Sequence, residues 1–311
     1  MREPFIASGT LSTGGSGSTF AVVLNAASGP ARAGISAESA QEAFQALGLQ
    51  ADIISLTKNS DLPGLVRSGA YRAIVAAGGD GTVNAVAAAV AGTEVPLGVI
   101  PAGTFNHFAR DAGIPLDLPA AIEVIAGGHT LSIDVGEVNG RIFINNSSLG
   151  LYPAIVLDRE RLINRGLPKF LAMALASFAA LRRLPNLTLR VQPGCAGKLV
   201  RTPLLFVGNN QYEFSGLEAG TRGRLDEGCL QVSIVRDLRG AALVKLSLLA
   251  LMGRLENVRE FSCETHATVR VETLRRQIRV AVDGELVMMK SPLLYTVRRG
   301  ALRVLAPGRA T

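Results

Sequence analysis

The sequence predicts an α/β protein: an N-terminal doubly wound, mostly parallel sheet domain, then a second domain built from antiparallel sheets. Three observations carry this. Between Phe20 and Ala126, short apolar runs without polar alternation are interleaved with helix-period segments, the pattern of strands buried on both faces of a parallel sheet. From Leu131 onward, strand-like runs follow one another with few helical interruptions. The pairs Asn139-Gly140 and Asp283-Gly284 are hairpin turn signals within that second half.

Taken in order, Met1 to Thr19 has no apolar signal core and is rich in Gly, Ser and Thr from Ser8, so it reads as a flexible leader. Phe20 to Leu24 is a strand that runs into the turn Asn25 to Gly29. A helix follows with Ala40, Ala43, Phe44 and Leu47 on one face and Gly48 as its stop. Ala51 to Leu56 is a strand closed by Thr57, and a short polar helix comes next. The stretch 73–90 changes period at Gly78-Gly79-Asp80-Gly81-Thr82: a buried strand before, and a helix after, for which Thr82 offers a cap. Leu97 to Ile100 is a strand leading into Pro101 to Asn106, with helices from Asn106 to Gly113 and from Pro119 to Ala126. The second half places strands at 131–138, 141–146, 187–191, 204–208, 230–235, 267–271, 277–282 and 293–297. The helix holding Phe170, Leu171, Met173, Ala174, Leu175 and Phe178 is flanked by Lys169, Arg182 and Arg183, as a helix resting on a membrane would be. Its apolar residues nearly encircle it, which favours a buried core helix instead.

With 311 residues, 48% of them hydrophobic and 18% charged, the chain can bury a large core and is expected to form two domains. The net charge of +7 and a sequence pI near 9.8 favour anionic partners, or simply a basic surface. Cys195, Cys229 and Cys263 are odd in number and include no Cys-x-x-Cys pair, so no disulfide framework is expected and a reducing compartment is. His107, His129 and His266 are scattered, without a zinc-type cluster. The apolar runs 170–181 and 241–252 are roughly a dozen residues each where a membrane span needs about 20.

The chemistry concentrates in four polar turns, Asn25 to Gly29, Thr57, Gly78 to Thr82 and Gly103 to Asn106, all at carboxyl ends of strands. In doubly wound sheets that edge is where ligands gather. Any one of these turns is explained by Gly and Thr as turn and cap residues; four in one layer point to a nucleotide site. Glycines let backbone lie close to a ligand, and a helix start offers N–H groups and partial positive charge to phosphate. Asp80 repels a polyphosphate unless it holds a cation or a reacting hydroxyl, which implies phosphate chemistry beyond phosphate binding. Neither a dinucleotide fingerprint nor the Gly-Lys-Ser/Thr of a P-loop is present.

Gly78 through Asn84, then Leu97-Gly98-Val99-Ile100-Pro101-Ala102-Gly103-Thr104-Phe105-Asn106-His107-Phe108-Ala109-Arg110, and finally Val282-Asp283-Gly284-Glu285 together resemble the diacylglycerol kinase catalytic family, in its bacterial lipid kinase branch related to sphingosine kinases. The resemblance runs from about Phe20 to Leu305, and its first motif is shared with NAD kinases. It implies a nucleotide-binding α/β domain (20–133), a β-sandwich domain (134–299), a final segment (300–311) returning to the first domain, and an active site in the cleft between the domains. It implies ATP and Mg²⁺ as cofactors. Nucleotide contacts fall to Asn25, Ser28, Gly29, Thr57, Gly78, Gly79, Asp80, Gly81, Thr82, Val83, Asn84, Gly103, Thr104 and Asn106, with Glu285 as general base and Asp80 beside it in catalysis.

Ala26, Ala85 and His107 stand where the family has proline, glutamate and aspartate. Asp111, one helical turn beyond His107, is expected to replace that aspartate near the metal with Asp80. A further metal loop of the family corresponds to Leu225 to Leu230, with Asp226 and Glu227 as its carboxylates. The expected protein is a cytoplasmic, peripherally membrane-associated kinase acting on a lipid hydroxyl at an anionic membrane surface, without nucleic-acid partners, and with a homodimer left open. The rivals are a soluble kinase of the NAD kinase sort and a catalytically weakened lipid-binding regulator.

Overall fold

The apolar runs at Thr19–Leu24, Tyr71–Gly78 and Leu97–Pro101 are strands buried on both faces, as expected, whereas Gln50–Ser55 is partly exposed because it stands at the sheet edge. The computed structural model describes residues 9–10, 19–25, 35–57, 59–183, 186–193, 197, 199–213, 221–235 and 261–308. The chain divides into two compact units, 1–135 with 299–311, and 136–298.

In the first unit, β1 (Gly9–Thr10) pairs antiparallel with the start of β6 (His129–Val138), so two residues of the expected leader are strand-paired. The strands β2 (Thr19–Leu24), β3 (Gln50–Ser55), β4 (Tyr71–Gly78) and β5 (Leu97–Pro101) lie side by side in the order β3-β2-β4-β5, all parallel. Beyond β5, Val304 near the end of β17 (Leu293–Leu305) pairs parallel with Leu97. The order reverses between β2 and β4, the place where a doubly wound sheet opens a ligand crevice.

Helix α1 (Ala37–Ala46) begins in a capping box between Ser36 and Ser39, and buries Ala40 and Phe44; the Phe44 ring lies 5.5 Å from that of Phe20. Leu47, expected on the same face, is exposed because it is the C-cap and stands past the last helical turn. Helix α2 (Leu62–Arg67) is capped by Asp61, and α3 (Asp80–Val90) turns Val83, Val86, Ala87 and Val90 inward. Helix α4 (His107–Asp111) is a single turn, and α5 (Leu118–Gly127) is capped by Asp117 and packs beside α1 with Ile122 and Ile125 in the sheet core.

The second unit is a β-sandwich. One sheet orders β13 (Phe261–His266), β12 (Leu230–Val235), β11 (Leu204–Asn209), β8 (Asn146–Gly150), β15 (Gln277–Val282) and β16 (Glu285–Lys290), every pair antiparallel. The other runs β10 (Leu199–Thr202), β9 (Leu187–Gln192), β14 (Thr268–Thr273) and the first part of β17, again antiparallel. Leu149, Val207, Val232 and Val280 from the first sheet meet Leu189, Val191, Val271 and Tyr295 from the second in one core. Hairpins β6-β7 (β7, Arg141–Phe143) and β15-β16 turn through Asn139-Gly140 and Asp283-Gly284, all four residues at positive φ as type I′ turns require.

Strands β8, β10, β13 and β16 escape the sequence reading. In β8 the segment Asn-Ser-Ser-Leu-Gly looks like a loop, yet Ser147 and Ser148 are buried and Ser147 Oγ bonds the Tyr295 hydroxyl at 3.2 Å. Helices α6 (Leu151–Asn164) and α7 (Lys169–Arg183) pack on each other, with α6 against the β8 sheet.

Candidate active site

In the first unit, the expected nucleotide-binding residues gather at the junction of β4 and α3. Gly79, extended at φ −84° and ψ −177°, is the N-cap, and no side chain caps this end of the helix. Thr82 is therefore a third-position helical residue rather than the expected cap; it is buried, and its Oγ1 would lie 2.5 Å from a Cβ placed on Gly78. Amide groups at the start of an 11-residue helix thus remain available to an anion, with the macrodipole behind them.

The loop after β5 is pinned to this junction. The N–H of Ala102 donates to the Gly78 carbonyl at 2.9 Å. Asn106, in the left-handed region (φ 51°), accepts from the Gly103 N–H at 2.8 Å and donates through Nδ2 to the Gly103 carbonyl at 3.1 Å. A Cβ on Gly103 would stand 2.6 Å from the Gly79 Cα, so that position must be glycine for the loops to touch; a Cβ on Gly79 would stand 3.1 Å from the Gly103 Cα, close enough to press the two backbones apart. Asp80 Oδ1 accepts a long bond from the Phe108 N–H, 3.4 Å. Gly81, Thr104 and Phe105 are exposed, and Phe105 stacks on His107 at 5.4 Å.

Of the other residues expected here, Asn84 is buried and its Oδ1 has no partner among the described residues. Val83 belongs to the core, its side chain 3% exposed, so any contact it makes with a ligand is through the backbone. Asn25 ends β2, with its N–H on the Ala77 carbonyl, and Thr57 follows β3 in a turn closed by Ser60. Parallel register aligns Leu24 with Ala77 and Ser55, and Gly78 with Pro101, so Asn25, Thr57 and both glycine loops emerge along one sheet edge. Ser28 and Gly29 lie outside the described residues.

In the second unit, the expected general base lies at the β15-β16 turn. Asp283 is half-buried, and its carboxylate, turned into the backbone, accepts the N–H groups of Ile144, Asn145 and Asn146 at 2.8 to 2.9 Å. Burial pushes its carboxyl up to about 6, outweighing those amides and the nearby Arg222 charge, which pull the other way. Beneath the same backbone, Arg222 donates to the Ile144 carbonyl at 2.7 Å and to Asn145 Oδ1 at 2.8 Å, with the Tyr212 ring 5.3 Å from its guanidinium carbon. Glu285 opens β16 with its carboxylate largely exposed and ion-paired to Arg141. The sequence reading missed Asp283 as an anchor, and missed Arg141 and Arg222. Asp-Gly signalled only a turn, and nothing in Thr221-Arg222-Gly223-Arg224 separates a buried arginine from an exposed one.

The uncapped α3 start and the bare Gly79–Gly103 contact fit a phosphate chain, and the unpartnered Asn84 oxygen fits a hydroxyl or bound-water donor. No group of three His, Cys, Asp or Glu that would hold a metal occurs among the described residues. Of the expected metal ligands in the first unit, Asp80 opens α3 and Asp111 ends α4. Asp226 and Glu227 do not fit the second metal. Arg224 clasps Asp226 at 3.0 and 3.2 Å, and Glu227 accepts the Gln211 N–H at 2.8 Å.

Comparison with known proteins identifies the family. Residues 19–138 match the description "Diacylglycerol kinase catalytic domain", and residues 157–306 match "YegS C-terminal NAD kinase beta sandwich-like domain". A diacylglycerol kinase of Staphylococcus aureus is 30% identical over 221 residues, covering 69% of this chain and 68% of the relative. A Pseudomonas aeruginosa protein described as "Probable lipid kinase YegS-like" is 30% identical over 244 residues, 76% of this chain and 77% of its own. A crystal structure of a diacylglycerol kinase from Bacillus anthracis superposes with a TM-score of 0.67 at 17% identity, over 94% of this chain and 98% of that one, and supports the fold. The class is a phosphotransferase with an alcohol group as acceptor. Within it, the chain belongs to the diacylglycerol kinase catalytic-domain family, in the branch that carries the YegS-type sandwich.

Proposed function

We propose that the protein transfers the γ-phosphoryl group of ATP, with Mg²⁺, to the hydroxyl of a diacylglycerol-like or sphingoid-like lipid, acting in the cytoplasm at an anionic membrane surface. The observation that carries this is the glycine-to-glycine contact that joins the uncapped start of α3 to the Gly103 loop at the carboxyl edge of a parallel sheet. In this reading the backbone amides of Asp80 and Gly81 hold the phosphate chain, and Thr104 and Asn106 close the cradle from the second loop. Asp80 and Asp111 would hold Mg²⁺, which when bound would neutralise charge building on the transferring phosphoryl group. Glu285 accepts the proton of the attacking lipid hydroxyl, and Arg141 holds its carboxylate until substrate arrives. Asp283, bonded to three consecutive amides, fixes the turn from which Glu285 projects.

The test is to incubate the purified protein with γ-labelled ATP, Mg²⁺ and either total lipid extract or NAD. Label is expected in the lipid pool. Label in NAD would establish the soluble small-molecule kinase instead, and label in neither, with nucleotide still bound, would establish a lipid-binding regulator.

A further inference from the structure

Helix α7 wears its side chains inside out. Ala172, Ala176 and Ala180, spaced at four residues, are its buried face, each at most 2% exposed. The large apolar residues point away: Phe170 is 87% exposed, Phe178 61%, Leu171 46% and Leu175 43%. Placing these residues outward leaves about two turns of bulky apolar surface in water, the kind of patch that marks an interaction site. This overturns the expectation of a core helix: among its described side chains, the small ones face the protein and the large ones do not.

Charge selects the occupant. The pair α6–α7 carries Arg159, Arg161, Arg165, Lys169, Arg182 and Arg183 against Asp158 and Glu160 alone, so more than half of the chain's net charge of +7 falls on this one hairpin. Lys169 opens α7 and Arg182-Arg183 close it, bracketing the apolar stretch. A second copy of the chain is a poor occupant, because a two-fold interface sets a patch against itself and would oppose cation to cation. An apolar helix face bracketed by cationic residues matches the boundary between the acyl chains and headgroups of an anionic bilayer.

We propose that α7 is the membrane-docking element of this protein, lying in the plane of an anionic bilayer with Phe170, Leu171, Leu175 and Phe178 inserted below the headgroups. The identity of the surface rests on the lipid-kinase reading, since that is where such a substrate resides. The docking itself is measured without nucleotide, so it fails or stands apart from the catalytic activity.

The chain contains no tryptophan, so Phe178→Trp gives a single reporter. Its emission is expected to be that of an exposed indole in buffer. It should shift to the blue and be quenched by brominated acyl chains with vesicles of phosphatidylcholine and phosphatidylglycerol, and respond little to phosphatidylcholine alone. In sedimentation with the same vesicles, the Phe170→Ser, Phe178→Ser double variant, with an unchanged melting curve, should bind at least about tenfold more weakly, and added salt should release the wild type. A reporter already blue-shifted without vesicles, a wild type that does not sediment with them, or a double variant that binds like wild type would overturn the proposal. So would a wild-type dimer that the double variant converts to monomer, which would assign the face to a second copy.

Discussion

Burial separates Asp283 from Glu285, two carboxylates flanking the same Gly284. Glu285 is more than half exposed at its side chain, and its ion pair with Arg141 is of the solvent-screened kind that adds little to stability. Glu285→Gln should therefore leave the melting temperature in place while lowering turnover on a lipid acceptor by at least about a hundredfold, because the hydroxyl proton loses its acceptor. Asp283 acts on the fold. Its carboxyl sits at about 6 in the folded chain against roughly 4 when unfolded, so between those values the native state holds a proton that the unfolded state has released. Stability from this group is thus highest below pH 4 and falls as pH rises through 6. Asp283→Asn turns an amide donor toward backbone donors and should be less stable at every pH. Its deficit relative to wild type should narrow from pH 4 to 7 by something of the order of 3 kcal/mol, read from denaturant unfolding across that range.

At the scale of elements, Gly79 and Gly103 act as a pair that neither loop shows alone. A methyl on Gly103 meets backbone at Gly79 and the Asn106 amide oxygen, at 2.6 and 2.8 Å, whereas a methyl on Gly81 meets nothing within 4 Å. Gly103→Ala should cost about 1–3 kcal/mol and abolish nucleotide binding measured by calorimetry. Gly81→Ala, on an exposed helical position, should hold or raise stability by about 0.5–1 kcal/mol and weaken nucleotide binding only where phosphate lies against it. The elements of the parallel half were legible because an apolar run too short for a helix, closed by glycine and followed by a helix period, fits a doubly buried strand and little else. In the sandwich, strands with a polar inward residue were not. Ser147 satisfies its hydroxyl on Tyr295, 148 residues away in sequence, and no local pattern announces such a partner. The two glycine loops were legible as a candidate site for the same reason as the strands before them. The Asp283 anchor was not, since its donors at 144–146 come from the opposite end of the second unit's chain.

Across the whole molecule, the proposed function ties cation binding to the nucleotide. No three carboxylates, histidines or cysteines converge among them, and Asp226 is already taken by Arg224. Mg²⁺ or Mn²⁺ should bind too weakly to saturate without nucleotide and should bind stoichiometrically with a non-hydrolysable ATP analogue, as titration calorimetry or Mn²⁺ resonance would show. Asp111→Asn should weaken the second binding event and leave the nucleotide-free titration unchanged.

Strand β17 has a consequence for synthesis. Its Val304 pairs with Leu97 of β5, while its earlier residues Leu293 to Thr296 pair with β14. The sandwich is in this sense an insertion between β5 and the strand that completes its sheet. On the ribosome β5 emerges some two hundred residues before Val304 does, and until then its outer backbone groups are an open edge ready to pair with any extended chain nearby. The nascent first unit cannot finish before the sandwich has been made. Premature termination inside the second unit should therefore release an aggregation-prone fragment, not an intact nucleotide-binding domain.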